Sequence, residues 1–394
     1  MLGPDQPSRS PAVVMDVGSN ITRAGFSGQT EPSIFMPSLV GRLRDETLDE
    51  GSATTVTTTT RRKAVYVGDD TPSMRGNLRI KYPVEFGVVT NFDDLEAVWG
   101  HLFDEKLRVN ISTTPLLVVE GESMNPKCNR EKLTQIAFET FNVPYFFLAP
   151  SPSLVLGAAG RSTGLSVDLS DITRAVPVYE GYFLPHCVMK DFEVNSRLVT
   201  EHLGKLLTRN NAGVSFTSRS DYDVLNGIKK QLAYAAQDLE QEKGNFSNSE
   251  ERQYELSDGK VVTVGTERFE CVEPLFQPQL AGIEMAGLAA HVINTVRLCH
   301  ADIRQELLSN VVLAGGGSSL KGLASRLQKE VEKELHGHLD LRGMYVRVLA
   351  PPGGDLLAWR GASLLAARPG FIDECISSDE YEEYGPTLVH RKCF

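Results

Sequence analysis

Two apolar strands in this chain run into the same kind of polar turn. The first is Val13-Val14-Met15-Asp16-Val17-Gly18-Ser19-Asn20-Ile21-Thr22-Arg23, and the second is Leu165-Ser166-Val167-Asp168-Leu169-Ser170-Asp171-Ile172-Thr173. They lie about 150 residues apart, roughly one domain length. A strand that ends on an aspartate and turns back at once can offer backbone N–H groups to a phosphate. Its carboxylate can hold the cation that travels with that phosphate. Taken singly, either copy is a β-hairpin with a helpful turn residue. As a pair they predict two similar half-molecules built for a nucleotide. A third segment adds weight: Val311-Val312-Leu313-Ala314-Gly315-Gly316-Gly317-Ser318-Ser319 is a buried strand entering a glycine run, which lets backbone approach a ligand closely.

A chain of 394 residues is too long for one small core and predicts two large domains. Apolar and charged fractions of 41% and 23% are those of a folded globular protein. The net charge of −11 argues against non-specific nucleic-acid binding, which needs Lys and Arg to neutralise phosphates. The cysteines (Cys128, Cys187, Cys271, Cys299, Cys375 and Cys393) are scattered, with no Cys-x-x-Cys pair. That is neither a zinc pattern nor a disulfide framework, and it suits a reducing compartment. No apolar run approaches the length of a membrane helix, and the N-terminus lacks a basic and then apolar leader. The Asn-x-Ser/Thr triplets at Asn20, Asn110 and Asn245 are therefore not read as glycosylation sites.

Along the chain, residues 1–11 read as a loose tail. Val13 to Asp16 reads as a strand paired with Ala24 to Ser27, and Pro115 to Glu120 as a buried strand. Helical spacing runs from Asn129 to Asn142, from Val224 through Ala235 to Leu239, and from Leu320 to Leu335. Such alternation is α/β. Leu43 to Lys63 is acidic, then threonine-rich, then basic, and reads equally as a mobile surface loop or a partner-binding loop. His336-Gly337-His338 reads as an exposed helix end rather than half of a metal site.

Longer segments carry a resemblance. They are Ala24-Gly25-Phe26-Ser27-Gly28, Pro37-Ser38-Leu39-Val40-Gly41-Arg42, Tyr66-Val67-Gly68-Asp69, Lys81-Tyr82-Pro83-Val84-Glu85, Val89-Thr90-Asn91-Phe92-Asp93-Asp94 and Asn125-Pro126-Lys127. Further on come Phe138-Glu139-Thr140-Phe141-Asn142, Val178-Tyr179-Glu180-Gly181, Leu275-Phe276-Gln277-Pro278, and the last ten residues, Gly385 to Phe394. With these the chain resembles actin and the actin-related proteins from Ala12 to Phe394. The resemblance implies an actin-like two-lobed α/β fold of duplicated ribonuclease-H-like domains, with ATP and Mg or Ca in a cleft between the lobes. It places the first lobe at 12–158 plus 357–394, with 38–82 as its small subdomain. The second lobe falls at 159–356, with 194–283 as its small subdomain. It also implies protein partners, other actin-family subunits among them, and a cytoskeletal place in the cytoplasm, with the nucleus as the alternative. It implies neither direct nucleic-acid contact nor a membrane segment.

Carried over position by position, the resemblance assigns Asp16, Gly18 and Ser19 to the first phosphate hairpin. Asn20 there replaces a glycine, and Arg23 replaces a lysine. Asp168 and Asp171 fall in the second hairpin, and Asp16 and Asp168 hold the cation through water. Lys229, Gly315, Gly316 and Ser318 match the adenosine pocket. The departures are equally specific. The second hairpin is one residue shorter than the family's and has no glycine. Ser151, inside Pro150-Ser151-Pro152, stands where the family has the glutamine that orients the attacking water, and Arg174 stands for a nearby histidine. Lys230 and Asp355 reverse charges around the ribose and the adenine. Phe86 replaces a histidine near the phosphates, and reads equally as part of an altered site or as an ordinary packed aromatic. These changes imply weak or structural ATP binding with slow or absent hydrolysis.

The contact surfaces differ as well. The stretch between Arg42 and Tyr66 is polar where the family inserts an apolar tip into the next subunit. Arg368, Gly370, Glu374 and Gly157 change the groove that partners use, and the N-terminal tail lacks the family's acidic cluster. The combination predicts a structural or assembly subunit. A polymerising actin-like ATPase and a nuclear chromatin-remodelling subunit are the rivals.

Overall fold

The computed structural model describes residues 11–43, 65–71, 78–121, 125–189, 192–211, 215–216, 219–247, 250–256 and 259–394. The expected tail before Pro11 and most of the expected loop after Leu43 lie outside the described residues. The chain divides into two compact units, 1–151 with 362–394, and 152–361.

In the first unit the strands are β1 (Val13–Val17), β2 (Ile21–Phe26), β3 (Ile34–Pro37), β9 (Leu116–Glu120), β10 (Tyr145–Pro150) and β18 (Ile376–Ser377). They form one sheet in the order β18-β10-β9-β1-β2-β3. β1 is antiparallel to β2 and parallel to β9. β9 is buried along its whole length, as a run of Leu and Val between two covered faces requires. Helix α2 (Lys127–Gln135) makes the crossover from β9 to the parallel β10. Helix α1 (Phe92–His101) starts on an Asn91 cap, whose side chain accepts from Asp94 N. α1 buries Trp99 against Phe103 and Phe141, with ring centroids 6.5 and 6.0 Å away. β4 (Val40–Leu43), β5 (Val65–Val67) and β6 (Leu78–Lys81) form a separate three-stranded sheet. β7 (Val84–Glu85) and β8 (Val88–Val89) form a short hairpin.

In the second unit the main sheet runs β13-β12-β11-β16-β17. Its strands are β11 (Gly164–Leu169), β12 (Thr173–Tyr179), β13 (Tyr182–Phe183), β16 (Val311–Ala314) and β17 (Val348–Leu349); β14 (Arg252–Glu255) and β15 (Val261–Val264) pair separately. The helices are α3 (Ser151–Ala158), whose first residue still belongs to the first unit, α4 (Ser196–Asn210), α5 (Arg219–Leu232), α6 (Leu239–Asn245) and α7 (Glu267–Glu270). After them come α8 (Leu288–Leu298), α9 (Ala301–Ser309), α10 (Leu323–Leu335) and the first half of α11 (Leu357–Ala366). The core joins Val167 and Leu313 of the sheet to Val199, Ile228, Val292 and Leu327 of the helices. A smaller cluster packs Val155 and Leu156 of α3 on Val178 and Val312.

Four expectations need correction. The hairpin partner of β1 begins at Ile21 rather than Ala24, so the turn is tighter than the sequence suggests. The helix expected from Asn129 to Asn142 starts at Lys127 and passes into a π-helical stretch over Ile136–Thr140, which still buries Ile136 and Ala137. The helix expected to reach Leu239 stops at Leu232. Beyond it Tyr234 N donates to Arg268 O (3.0 Å) and Ala235 N donates to Lys321 O (2.8 Å), so tertiary bonds replace helical ones. Helix α10 begins at Leu323, after Gly322, rather than at Leu320.

Candidate functional site

The duplication seen in the sequence is carried into strand register. In the first unit Asp16 lies directly opposite Arg23 across the β1–β2 hairpin and beside Val119 of the parallel strand. In the second, Asp168 lies opposite Arg174 across β11–β12 and beside Ala314 of its parallel strand. Each central strand therefore carries, one residue before its end, an aspartate with an arginine cross-strand neighbour. The arginine pairing is a site feature that motif reading missed, because register is invisible until the turn length is fixed.

The first hairpin is tight. Gly18 N donates to Ile21 O (3.2 Å). Arg23 Nη1 donates to Asp16 Oδ2 (3.2 Å), and both side chains are largely covered. Asn20 is exposed at the tip, and its carbonyl accepts from Ser38 N. Ser19 Oγ accepts from Gly87 N (3.0 Å). That glycine follows Phe86 in the β7–β8 turn, and both residues have positive φ, 51° and 72°. Phe86 is 51% exposed, so it is not the packed aromatic the sequence left open. It holds a left-handed turn position that few bulky residues occupy.

In the second unit the predicted residues gather around one that was not predicted, Ser196 at the start of α4. Ser196 N donates to Ser170 O in the second hairpin (3.2 Å). Lys229 is 7% exposed, and its Nζ donates to Ser196 O (3.0 Å), Ser196 Oγ (3.0 Å) and Thr200 Oγ1 (2.6 Å). These account for all three ammonium protons. Burial lowers the Lys229 pKa to about 8; the Lys230 charge works the same way, and Asp171 opposes it. Lys230 itself is exposed. Nothing in the α4 sequence marks Ser196 or Thr200 as partners of a lysine on another helix.

The glycine run closes over the same place. Gly315 has φ +78°, and a Cβ there would sit 2.7 Å from Asp168 Oδ1 and 2.9 Å from the Leu169 carbonyl carbon. Ser318 Oγ donates to Gly315 O (2.7 Å), which fixes the loop. Around Gly316, by contrast, a Cβ would meet nothing within 4 Å. A side chain at Gly315 would therefore collide with the Asp168 carboxylate, whereas the position of Gly316 is open. The carboxylate of Asp168 is a hard oxygen donor of the kind that suits Mg or Ca, and the Asp16 carboxylate of the first unit is of the same kind.

The model of the Actin family matches residues 8–394 of this sequence. The chain belongs to the actin family. The mixed α/β sheets of both units accord with that membership. No helix among the described residues of this actin-family chain is long and apolar enough to cross a membrane. All six of its cysteines are free, and only Cys128 is exposed.

The two residues that the resemblance set at water-orienting positions, Ser151 and Arg174, are both covered. Ser151 is 7% exposed at the first residue of α3, and Arg174 is 5% exposed. Arg174 also acts on His291 of α8. That imidazole stacks on Phe192, with centroids 3.9 Å apart, and neither ring nitrogen has a hydrogen-bond partner among the described residues. Burial lowers the His291 pKa to about 4, and the positive charge of Arg174 adds to the shift. Unfolded, the ring titrates near 6.5. Between these values the unfolded chain binds the extra proton, so stability is full above about pH 6.5 and falls as the pH drops toward 4. The expected loss is roughly 2–3 kcal/mol. Urea midpoints from pH 8 to pH 4 should show it, and His291→Leu should remove that share of the slope. Parallel pH profiles for the two proteins would refute the assignment.

Proposed function

We propose that this actin-family chain is a structural subunit of a larger protein assembly. It holds adenine nucleotide with Mg or Ca as a stabilising ligand and hydrolyses it slowly or not at all. The observation that carries the reading is Arg174, buried across the hairpin from Asp168. Hydrolysis of a phosphoanhydride depends on a positioned water. A guanidinium is donor-only and stays protonated, so it cannot accept a hydrogen bond from that water or take its proton. The Ser151 hydroxyl is too short to replace a glutamine. Asp16 in the first unit and Asp168 in the second are each suited to hold a cation through water, and Gly315, Gly316, Ser318 and Lys229 are the residues suited to the nucleoside. Bound nucleotide then acts by mass action on the folded state. The polar stretch after Arg42 favours assembly through faces other than that loop. A cytoskeletal setting is the first choice and a nuclear assembly the second.

The test is to denature the purified protein, identify the nucleotide it releases, and then follow phosphate release from added Mg-ATP. ATP is expected to persist, with turnover roughly a hundredfold below an actin control, the usual share of a positioned proton acceptor. Brisk hydrolysis would overturn the role given to Arg174. A protein that neither carries nor binds nucleotide would overturn the ligand and leave an interaction scaffold.

A further inference from the structure

Three side chains of metal-binding type meet in the first unit where the turn after β5 approaches the end of α1. Asp70 closes the 3-10 turn (Gly68–Asp70) that follows β5, His101 ends α1, and Glu105 lies one turn further on in the π-helical continuation (Leu102–Leu107). One ligand atom from each lies within 4.8 Å of both others. His101 and Glu105 are four positions apart on one helix face. His101 Nδ1 is 3.7 Å from Glu105 Oε2, beyond hydrogen-bond length. Four ligands about 2.1 Å from a zinc ion sit about 3.4 Å from one another, so the pair is nearly spaced for a shared cation.

The exposures suit entry and capture. The His101 side chain is 6% exposed and so held by its packing, while Glu105 is 50% exposed and within reach of an entering ion. One imidazole and two carboxylates favour a borderline divalent ion such as Zn, Co or Mn over Mg or Ca, which prefer all-oxygen shells. Lys106 stands beside the group, and its Nζ is paired with Asp69 Oδ2 at 3.0 Å. That positive charge would hold the affinity down without occupying a ligand.

We propose that Asp70, His101 and Glu105 form a binding site for a borderline divalent metal ion, completed by water. The ion ties the β4–β5–β6 sheet to the end of α1. The sheet and the turn that follows it already carry two ion pairs to this helix and its continuation, Arg42 with Asp94 and Asp69 with Lys106, and the metal would add a further tie beside the second. The site is separate from the aspartate hairpins and does not depend on nucleotide.

The test uses the full chain, stripped with chelator and kept in excess Mg so that any nucleotide-linked cation site is filled. Cobalt is titrated while its visible d–d bands and the melting temperature are followed. The expected result is saturable binding with a rise in melting temperature. Glu105→Gln and Asp70→Asn should each weaken cobalt about tenfold or more. Circular dichroism on Glu105→Gln, an exposed position, guards against misfolding as the cause. Equal cobalt affinity in wild type and both variants would overturn the proposal. So would bands that vanish with Cys128→Ser instead, since the exposed thiol would then be the ligand.

Discussion

Gly315→Ala is expected to destabilise the second unit by about 4 kcal/mol and, on the nucleotide role proposed above, to abolish nucleotide retention. Two effects add. A non-glycine residue held at φ +78° costs about 1–3 kcal/mol. Forcing a methyl to within 2.7 Å of Asp168 Oδ1 and 2.9 Å of the Leu169 backbone costs a further 1–3 kcal/mol or so, since neither the strand nor the loop can move away freely. Relaxation that does occur must push the Asp168 carboxylate off its position, which is why binding fails along with stability. Gly316→Ala is the matched control. It sits one residue on, with open space around its would-be Cβ, and should change the unfolding midpoint little. Denaturant midpoints and nucleotide content after gel filtration measure both. Similar losses in the two variants would mean that the loop needs glycine for general flexibility and not for the approach to Asp168.

Much of this loop was readable from sequence because its chemistry is local. A buried strand entering consecutive glycines marks a place where backbone can take positive φ and come close to a neighbour, and an aspartate before a polar turn marks a hairpin in either unit. Other parts were unreadable for identifiable reasons. The apolar period of α5 continues through Ala235 and Leu239, so periodicity alone extends the helix. What ends it is the capture of the Tyr234 and Ala235 amides by Arg268 and Lys321 carbonyls, contacts that no window on α5 contains. Lys229 was found by resemblance, but its true neighbours, Ser196 and Thr200, belong to another helix. Phe86 misleads in the opposite way, since a left-handed turn usually announces itself with Asn or Gly. Asp70 and the His101–Glu105 pair are separated by the whole of β6 to α1, and only the folded chain brings them together.

The same non-local contacts give Arg326→Met an expected effect of similar size, about 3–5 kcal/mol. Arg326 lies on α10 with its side chain 4% exposed, and Glu273 is 1% exposed. The guanidinium grips both carboxylate oxygens, Nη1 to Oε1 at 3.0 Å and Nη2 to Oε2 at 3.2 Å. It also donates from Nε to Glu330 (2.9 Å) and from Nη1 to the carbonyl of Ala236, and it covers the Phe276 ring, 4.6 Å from its centroid. One side chain thus ties α10 to the segment after α5, where the expected helix was broken. Removing it strands a buried carboxylate, which is costlier than losing the pair's attraction. Burial already raises the Glu273 pKa despite the arginine, so without Arg326 that acid should take up a proton more readily still. The variant's deficit should therefore be largest near pH 8 and shrink toward pH 5. Replacing both partners, Arg326→Met with Glu273→Met, should recover most of the loss, because no unpaired charge remains. A double variant as unstable as the single one would show that the Ala236 and Phe276 contacts, and not the ion pair, hold α10 against the end of α5.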